Sequence, residues 1–296
     1  MKPSRRVLLI TAIALVALLG AAGVAYAITN GQPDGINHPY VGLVLFYDKD
    51  GNPLWRCSSS LISPTVLLTA GHCTDVKGGS VSAQVWFGQG PITRDQKFTG
   101  GSCNAGGPYT GYPCAGGTKG TPYTIDDYYN PAPYGGNGLP GFLYRDAGVV
   151  VLDQPVTLSK YAELPEAGLV DTLANKTAVD FVGYGVQYQA QVPGNLLPQP
   201  PPFARWTGPR ERMYAPSQLV SGNFVSGANY MRLALNPGGG SGGTCFGDSG
   251  GPDLLGGTDT VLAVNSYVTN VNCSGVGYSA RVDTPVVLEW VKSFIK

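Results

Sequence analysis

Cys245-Phe246-Gly247-Asp248-Ser249-Gly250-Gly251-Pro252 sets a serine among glycines. Glycine lets a backbone turn sharply and brings its N–H groups close to a bound carbonyl, so this octapeptide has the makings of a nucleophile and an oxyanion hole. A glycine-flanked serine is also a common plain turn, so the reading needs a partner. A serine hydroxyl is a poor nucleophile at neutral pH and requires a base within hydrogen-bond reach. Histidine suits that role because its unperturbed pKa is about 6.5. The chain holds only His38 and His72. His38 precedes Pro39 and reads as a surface or packing residue. His72 lies in Thr69-Ala70-Gly71-His72-Cys73, at the end of an apolar run, and is the candidate base.

The imidazole must be held in one tautomer by a buried carboxylate. Asp146 opens the apolar stretch Asp146-Ala147-Gly148-Val149-Val150-Val151-Leu152. Asp126 and Asp127 compete, but no apolar strand follows them, and Asp153 ends the strand instead of opening it.

The chain begins with Lys2, Arg5 and Arg6, an apolar run from Val7 to about Val24, and Ala25-Tyr26-Ala27. A basic head, apolar middle and A-x-A end predict a secretory signal over residues 1–27. The alternative is an uncleaved anchor, since the run approaches the roughly 18–20 residues that span a bilayer. Without the signal, 16 basic residues face 19 acidic ones, and no Lys/Arg run supports nucleic-acid binding. The expectation is a secreted monomer with no cofactor, no metal and no stable membrane span. Six cysteines in an exported chain read as three disulfides, although six allow 15 connectivities. A calcium site lacks support, because Val81–Phe98 offers only Asp95 as a carboxylate.

Glycine (43) and proline (24) are abundant and charge is 13%, which disfavours long helices and favours short strands between turns. Strands are predicted at Val41–Tyr47, Thr65–Thr69, Val81–Phe87, Gly148–Leu152, Ala178–Val182 and Val261–Val268. This all-β pattern is long enough for two barrels with substantial cores. One helix is predicted over 285–295, with Thr284 as its cap and Pro285 in its first turn. Gly100–Gly120 and Pro193–Pro209, the latter with six prolines, read as insertions or loops.

The Ser249 and His72 motifs together resemble the chymotrypsin/trypsin-like serine proteases. Gly183-Tyr184-Gly185, Ser266-Tyr267-Val268 and Gly277-Tyr278 extend the resemblance over nearly the whole chain after the signal. It implies two antiparallel six-stranded barrels, about 28–155 and 156–283, with the active site in the cleft between them. His72, Asp146 and Ser249 then match the family's order of base, carboxylate and nucleophile. Ala147-Gly148 departs mildly from the Ile/Leu-Ala usual there, and the gap from His72 to Asp146 is longer than usual. The resemblance implies an oxyanion hole from the N–H groups of Gly247 and Ser249. It implies bridges Cys57–Cys73 and Cys245–Cys273, leaving Cys103 with Cys114 as a staple inside the insertion. Cutting after Ala27 would expose Ile28-Thr29-Asn30-Gly31, whose amine is expected to pair with Asp248.

The family's specificity pocket would have Gly243 at its floor and Val268 and Val276 on its walls. No aspartate stands at the floor, which disfavours cleavage after Arg or Lys, and two valines would narrow the pocket. The resemblance thus implies a peptide or protein substrate, with cleavage expected after small uncharged residues. A catalytically silent binding protein on the same scaffold and an esterase-leaning hydrolase are the alternatives.

Overall fold

The computed structural model describes residues 28–90, 92, 116–126, 144–189, 206–207, 210–220, 229–236, 242–270 and 272–296. The predicted signal 1–27 and the Cys103–Cys114 staple lie outside the described residues.

A two-residue strand, β1 (Gln32–Pro33), leads into a closed antiparallel barrel of six strands. In chain order these are β2 (Val41–Tyr47), β3 (Pro53–Ser63), β4 (Val66–Thr69), β5 (Ser82–Trp86), β6 (Thr118–Thr124) and β7 (Gly148–Leu152). Around the barrel they run β2-β3-β4-β7-β6-β5. β2 reads VGLVLFY and is buried at every position, because one face fills the barrel and the other meets the rest of the molecule. β6 corrects the expectation that 100–120 is all insertion: residues 118–120 begin a barrel strand. Its sequence, TKGTPYT, lacks an apolar run, and its place comes from pairing between β5 and β7.

The second half contains β8 (Ala178–Gly183), a small hairpin of β9 (Tyr188–Gln189) and β10 (Trp206–Thr207), β11 (Met213–Gln218), β12 (Tyr230–Leu235), β13 (Pro252–Leu255), β14 (Val261–Val268) and β15 (Gly275–Arg281). Apart from the hairpin they form one sheet with β1, ordered β1-β11-β8-β13-β14-β15-β12. It curls until β11 meets β12, where Leu219 bridges Leu233 and the Ser217 hydroxyl donates to the Ala234 carbonyl at 2.7 Å. The second barrel is therefore closed by a seam rather than a full ladder. Pro216, in β11, has no N–H to give along that edge, and β1 occupies the edge's other end.

The final helix, α2 (Pro285–Lys292), is shorter than predicted. Thr284 does not cap it: its hydroxyl is buried and makes no hydrogen bond among the described residues. Val287 and Val291 enter the larger hydrophobic core, and beyond the helix Phe294 packs on Tyr123 of β6 with ring centroids 5.1 Å apart. That core runs through both halves, joining Leu43, Leu61 and Leu67 to Val182, Leu254 and Val264. The shared core holds the two halves at the angle that makes the cleft.

Candidate active site

His72 sits in a single helical turn, α1 (Gly71–Thr74), directly after β4. The buried strand VLLT ends at Ala70, whose extended backbone starts the turn. Gly148 of β7 lies against it. A Cβ there would stand 2.6 Å from both the Ala70 carbonyl and the Thr74 hydroxyl. The Thr74 side chain thus fills the space a larger residue at 148 would need. This gives a packing reason for the Ala147-Gly148 departure.

Asp146 is fully buried and accepts three hydrogen bonds. One oxygen takes the His72 backbone N–H at 2.7 Å, and the other faces His72 Nδ1 at 2.8 Å. The second oxygen also accepts the Ser266 hydroxyl at 2.5 Å. Burial works to lower the His72 pKa, but the charge and hydrogen bond of Asp146 outweigh it, so the net direction is up. This geometry fixes the ring with Nδ1 on the carboxylate and Nε2 on the opposite side of the ring. His72 and Ser249 both line one cavity of about 240 Å³ in the cleft, with Thr244, Phe246, Asn265 and Tyr267 among its other walls. Ser266 and Asn265 had no role assigned from sequence. The signal for Ser266 was its place at the head of the Ser266-Tyr267-Val268 motif, but only the fold brings its hydroxyl to Asp146.

The loop carrying Gly247 is anchored on both sides. The Phe246 carbonyl accepts the Val186 N–H at 2.9 Å. In a trans peptide the N–H points opposite to the C=O, so the Gly247 N–H is turned away from Val186. Gly247 has φ +95°, and a Cβ there would overlap the Arg56 guanidinium. Only glycine fits both conditions.

Asp248 is fully buried and accepts the backbone N–H groups of Gly185 at 2.8 Å and Cys245 at 2.9 Å. Burial pushes its carboxyl up to about 7, and the positive charges of Arg56 and Arg210 pull the other way. Neither arginine was picked out from sequence, because an isolated charge in a strand or loop carries no sign of where it points. Ile28 is fully buried in the core of the second half, and Thr29 exchanges two backbone hydrogen bonds with Gly243, at 2.8 and 3.0 Å.

That pairing sets the surroundings of Gly243. It is tied to the amino-terminal segment and backs on Leu235 and Cys273, and it is not among the described residues that line the cleft cavity. Val268 does line it. Val276 does not: the residue across the strand pair from Val268 is Gly277, while Val276 pairs with Ala234. Neighbouring residues of a strand point to opposite faces, so Val276 does not share the face of Gly277, the partner of Val268. Cys57–Cys73 and Cys245–Cys273 are both bonded, the first beside His72 and the second behind the cavity. Among the described residues, the only group of metal-ligand type is His72 with Cys57 and Cys73, whose sulfurs are committed to that disulfide.

No family model matches the sequence, and no curated protein matches it. Solved structures do. An HL collagenase shares 17% identity at a TM-score of 0.59, with 89% of this chain and 96% of that chain covered. Human heparin binding protein shares 15% at 0.55, covering 89% and 94%, and the protein GrC shares 14% at 0.57, covering 89% and 97%. At such identities the likeness is one of fold, and this chain has the two-barrel, chymotrypsin-like fold.

Proposed function

We propose that the chain is an exported serine endopeptidase. The observation that carries this reading is the buried Asp146 holding His72 by its backbone and ring, beside a cavity that also exposes Ser249. In the proposed reaction the Ser249 hydroxyl attacks the scissile carbonyl while His72 Nε2 accepts its proton. Asp146 stabilises the imidazolium, and the N–H groups of Gly247 and Ser249 hold the oxyanion. His72 then protonates the leaving amine, and water releases the acyl group through the same base. The fold neighbours are named as a collagenase in one case and a heparin binding protein in another, so fold alone does not separate enzyme from binder. An organophosphonate distinguishes them: we expect stoichiometric labelling that Ser249→Ala abolishes. An unlabelled, fully folded wild type would point to a binding protein. Faster turnover of esters with no detectable peptide cleavage would point to the esterase alternative.

The proposal extends to activation. Ile28 combines complete burial with φ +55°, a conformation that costs a β-branched residue roughly 1–3 kcal/mol. Cutting the bond before it relieves that constraint and supplies an amine for Asp248. N-terminal sequencing of active protein should begin at Ile28, and any other start removes the idea. Activity should also fade in the alkaline range as this amine, ordinarily about 7.7–8.0 and raised by pairing, loses its proton.

For the residue before the scissile bond we propose a small uncharged side chain. Val268 narrows the cavity, and no carboxylate, lysine or arginine stands among its described lining residues. A peptide panel varied at that residue tests this, and fastest turnover with arginine overturns it.

A further inference from the structure

Ser58, in β3 of the first barrel, reaches the loop of the second that carries Gly247 and Ser249. We infer that Ser58 is a positioning residue for the oxyanion hole, an inference that rests on the proposed serine chemistry of Ser249.

Four hydrogen bonds converge on this one residue, which is fully buried. Its hydroxyl accepts the Tyr184 N–H at 2.9 Å and donates to the Gly247 carbonyl at 2.9 Å. Its N–H donates to the Ser249 carbonyl at 2.9 Å, and its own carbonyl accepts the Thr69 hydroxyl at 2.9 Å. Gly247 and Ser249 are the two residues whose N–H groups would face the oxyanion. Ser58 therefore holds a carbonyl of each.

The peptide between Gly247 and Asp248 is gripped at both ends. Ser58 takes its carbonyl, and its N–H donates to the Cys245 carbonyl at 3.0 Å. The preceding peptide is held by Val186. Between these anchors Gly247, at φ +95°, has the conformational freedom of glycine and no side chain to lock it. Without the Ser58 hydroxyl the Gly247 carbonyl has lost its partner, and the Tyr184 N–H has lost its acceptor in a buried site. Both costs are relieved by rotating the peptide planes of the loop, which turns the oxyanion donors away from their working direction.

Ser59, the next residue, is an internal control. It is equally buried, and its hydroxyl donates to the Gly42 carbonyl at 3.2 Å, within the first barrel and away from the loop.

The test compares Ser58→Ala and Ser59→Ala with wild type, normalised to active sites titrated by an organophosphonate. Three readouts are taken: kcat and KM on a peptide, affinity for a peptide aldehyde that forms a tetrahedral adduct on Ser249, and affinity for the product acid. For Ser58→Ala we expect kcat and aldehyde affinity each to fall about tenfold, the scale of one or two lost hydrogen bonds, with KM and product affinity unchanged. Ser59→Ala should keep all three while losing thermal stability. Equal falls in aldehyde and product affinity, a lower Tm with unchanged kcat per active site, or the same kcat loss in both variants would each overturn the assignment. Wild type that takes no label would overturn the serine chemistry itself, a result distinct from all of these.

Discussion

The imidazole of His72 is balanced between two opposing influences. Burial disfavours its charge, and Asp146 favours it more strongly, so the pKa lies above the ordinary 6.5. A base must be neutral to accept the Ser249 proton. Activity should therefore rise with pH through a midpoint above 6.5, read from kcat/KM against pH. Asp146→Asn removes the upward influence and the correct tautomer together. We expect the midpoint to move down and kcat to drop by on the order of 10⁴. An unchanged midpoint would exclude Asp146 as the partner in solution. Gly247→Ala is a second residue-scale case, since the methyl meets both an unfavourable φ and the Arg56 guanidinium. The loss of one oxyanion donor should lower kcat by about 10²–10³ per titrated site. Arg56→Ala, which opens the space, should recover only part of this, because the φ penalty remains.

At the scale of elements, the amino-terminal segment around β1 is held by a buried ion pair. Arg212 donates to Asp34 at 2.7 Å and to the carbonyls of Gly35, Phe87 and Val41. It thereby joins the segment to the first barrel from the approach to β11. His38 donates its N–H to Asp34 and stacks on Tyr214, so the histidine set aside in the sequence belongs to this packing. Burial raises the Asp34 pKa, but His38 and Arg212 lower it further, and the net shift is down. A lowered carboxylate contributes stability above its unfolded pKa of 3.8 and loses it as pH falls through the folded value. Asp34→Asn should cost roughly 3–5 kcal/mol near neutrality, because it leaves a buried guanidinium uncompensated. The deficit should shrink in acid, where wild-type Asp34 is protonated too. Denaturant titrations at several pH values check this, and a constant deficit would contradict it. None of these links had a sequence signal, since Asp34 and Arg212 lie far apart in the chain and meet only when β1 pairs with β11.

For the whole molecule, the second barrel stores a cost. Asp253 of β13 is fully buried, and among the described residues neither oxygen receives a hydrogen bond of good geometry, although the side chains of Ser279 and Asn265 act on it from nearby. Burial raises its pKa well above 3.8, and Ser279 and Asn265 offset this only in part. A raised acid is harmless below its unfolded pKa and destabilises progressively as pH climbs from there toward the folded value. Asp253→Asn should therefore raise Tm near pH 7, with the gain closing as pH approaches 4. A gain independent of pH would mean that packing, not protonation, is responsible.

The chain's local order carried a good deal: the strands β2, β7 and β14, the all-β class, and His72 and Ser249 as candidates that the fold brings to one cavity. Each rests on chemistry encoded within a few neighbouring residues, whether β-branched runs or the scarcity of histidine. β6 and β11 were not legible, because Gly120, Pro122 and Pro216 break the strand pattern and pairing with neighbours overrides it. The Ser58 clamp, the Ser266 hydroxyl on Asp146, the wall opposite Val268 and the seam between β11 and β12 depend on register and on the meeting of two barrels. Hydrogen bonds between residues more than a hundred positions apart leave no local pattern, and they exist only once the shared core has placed the barrels against each other.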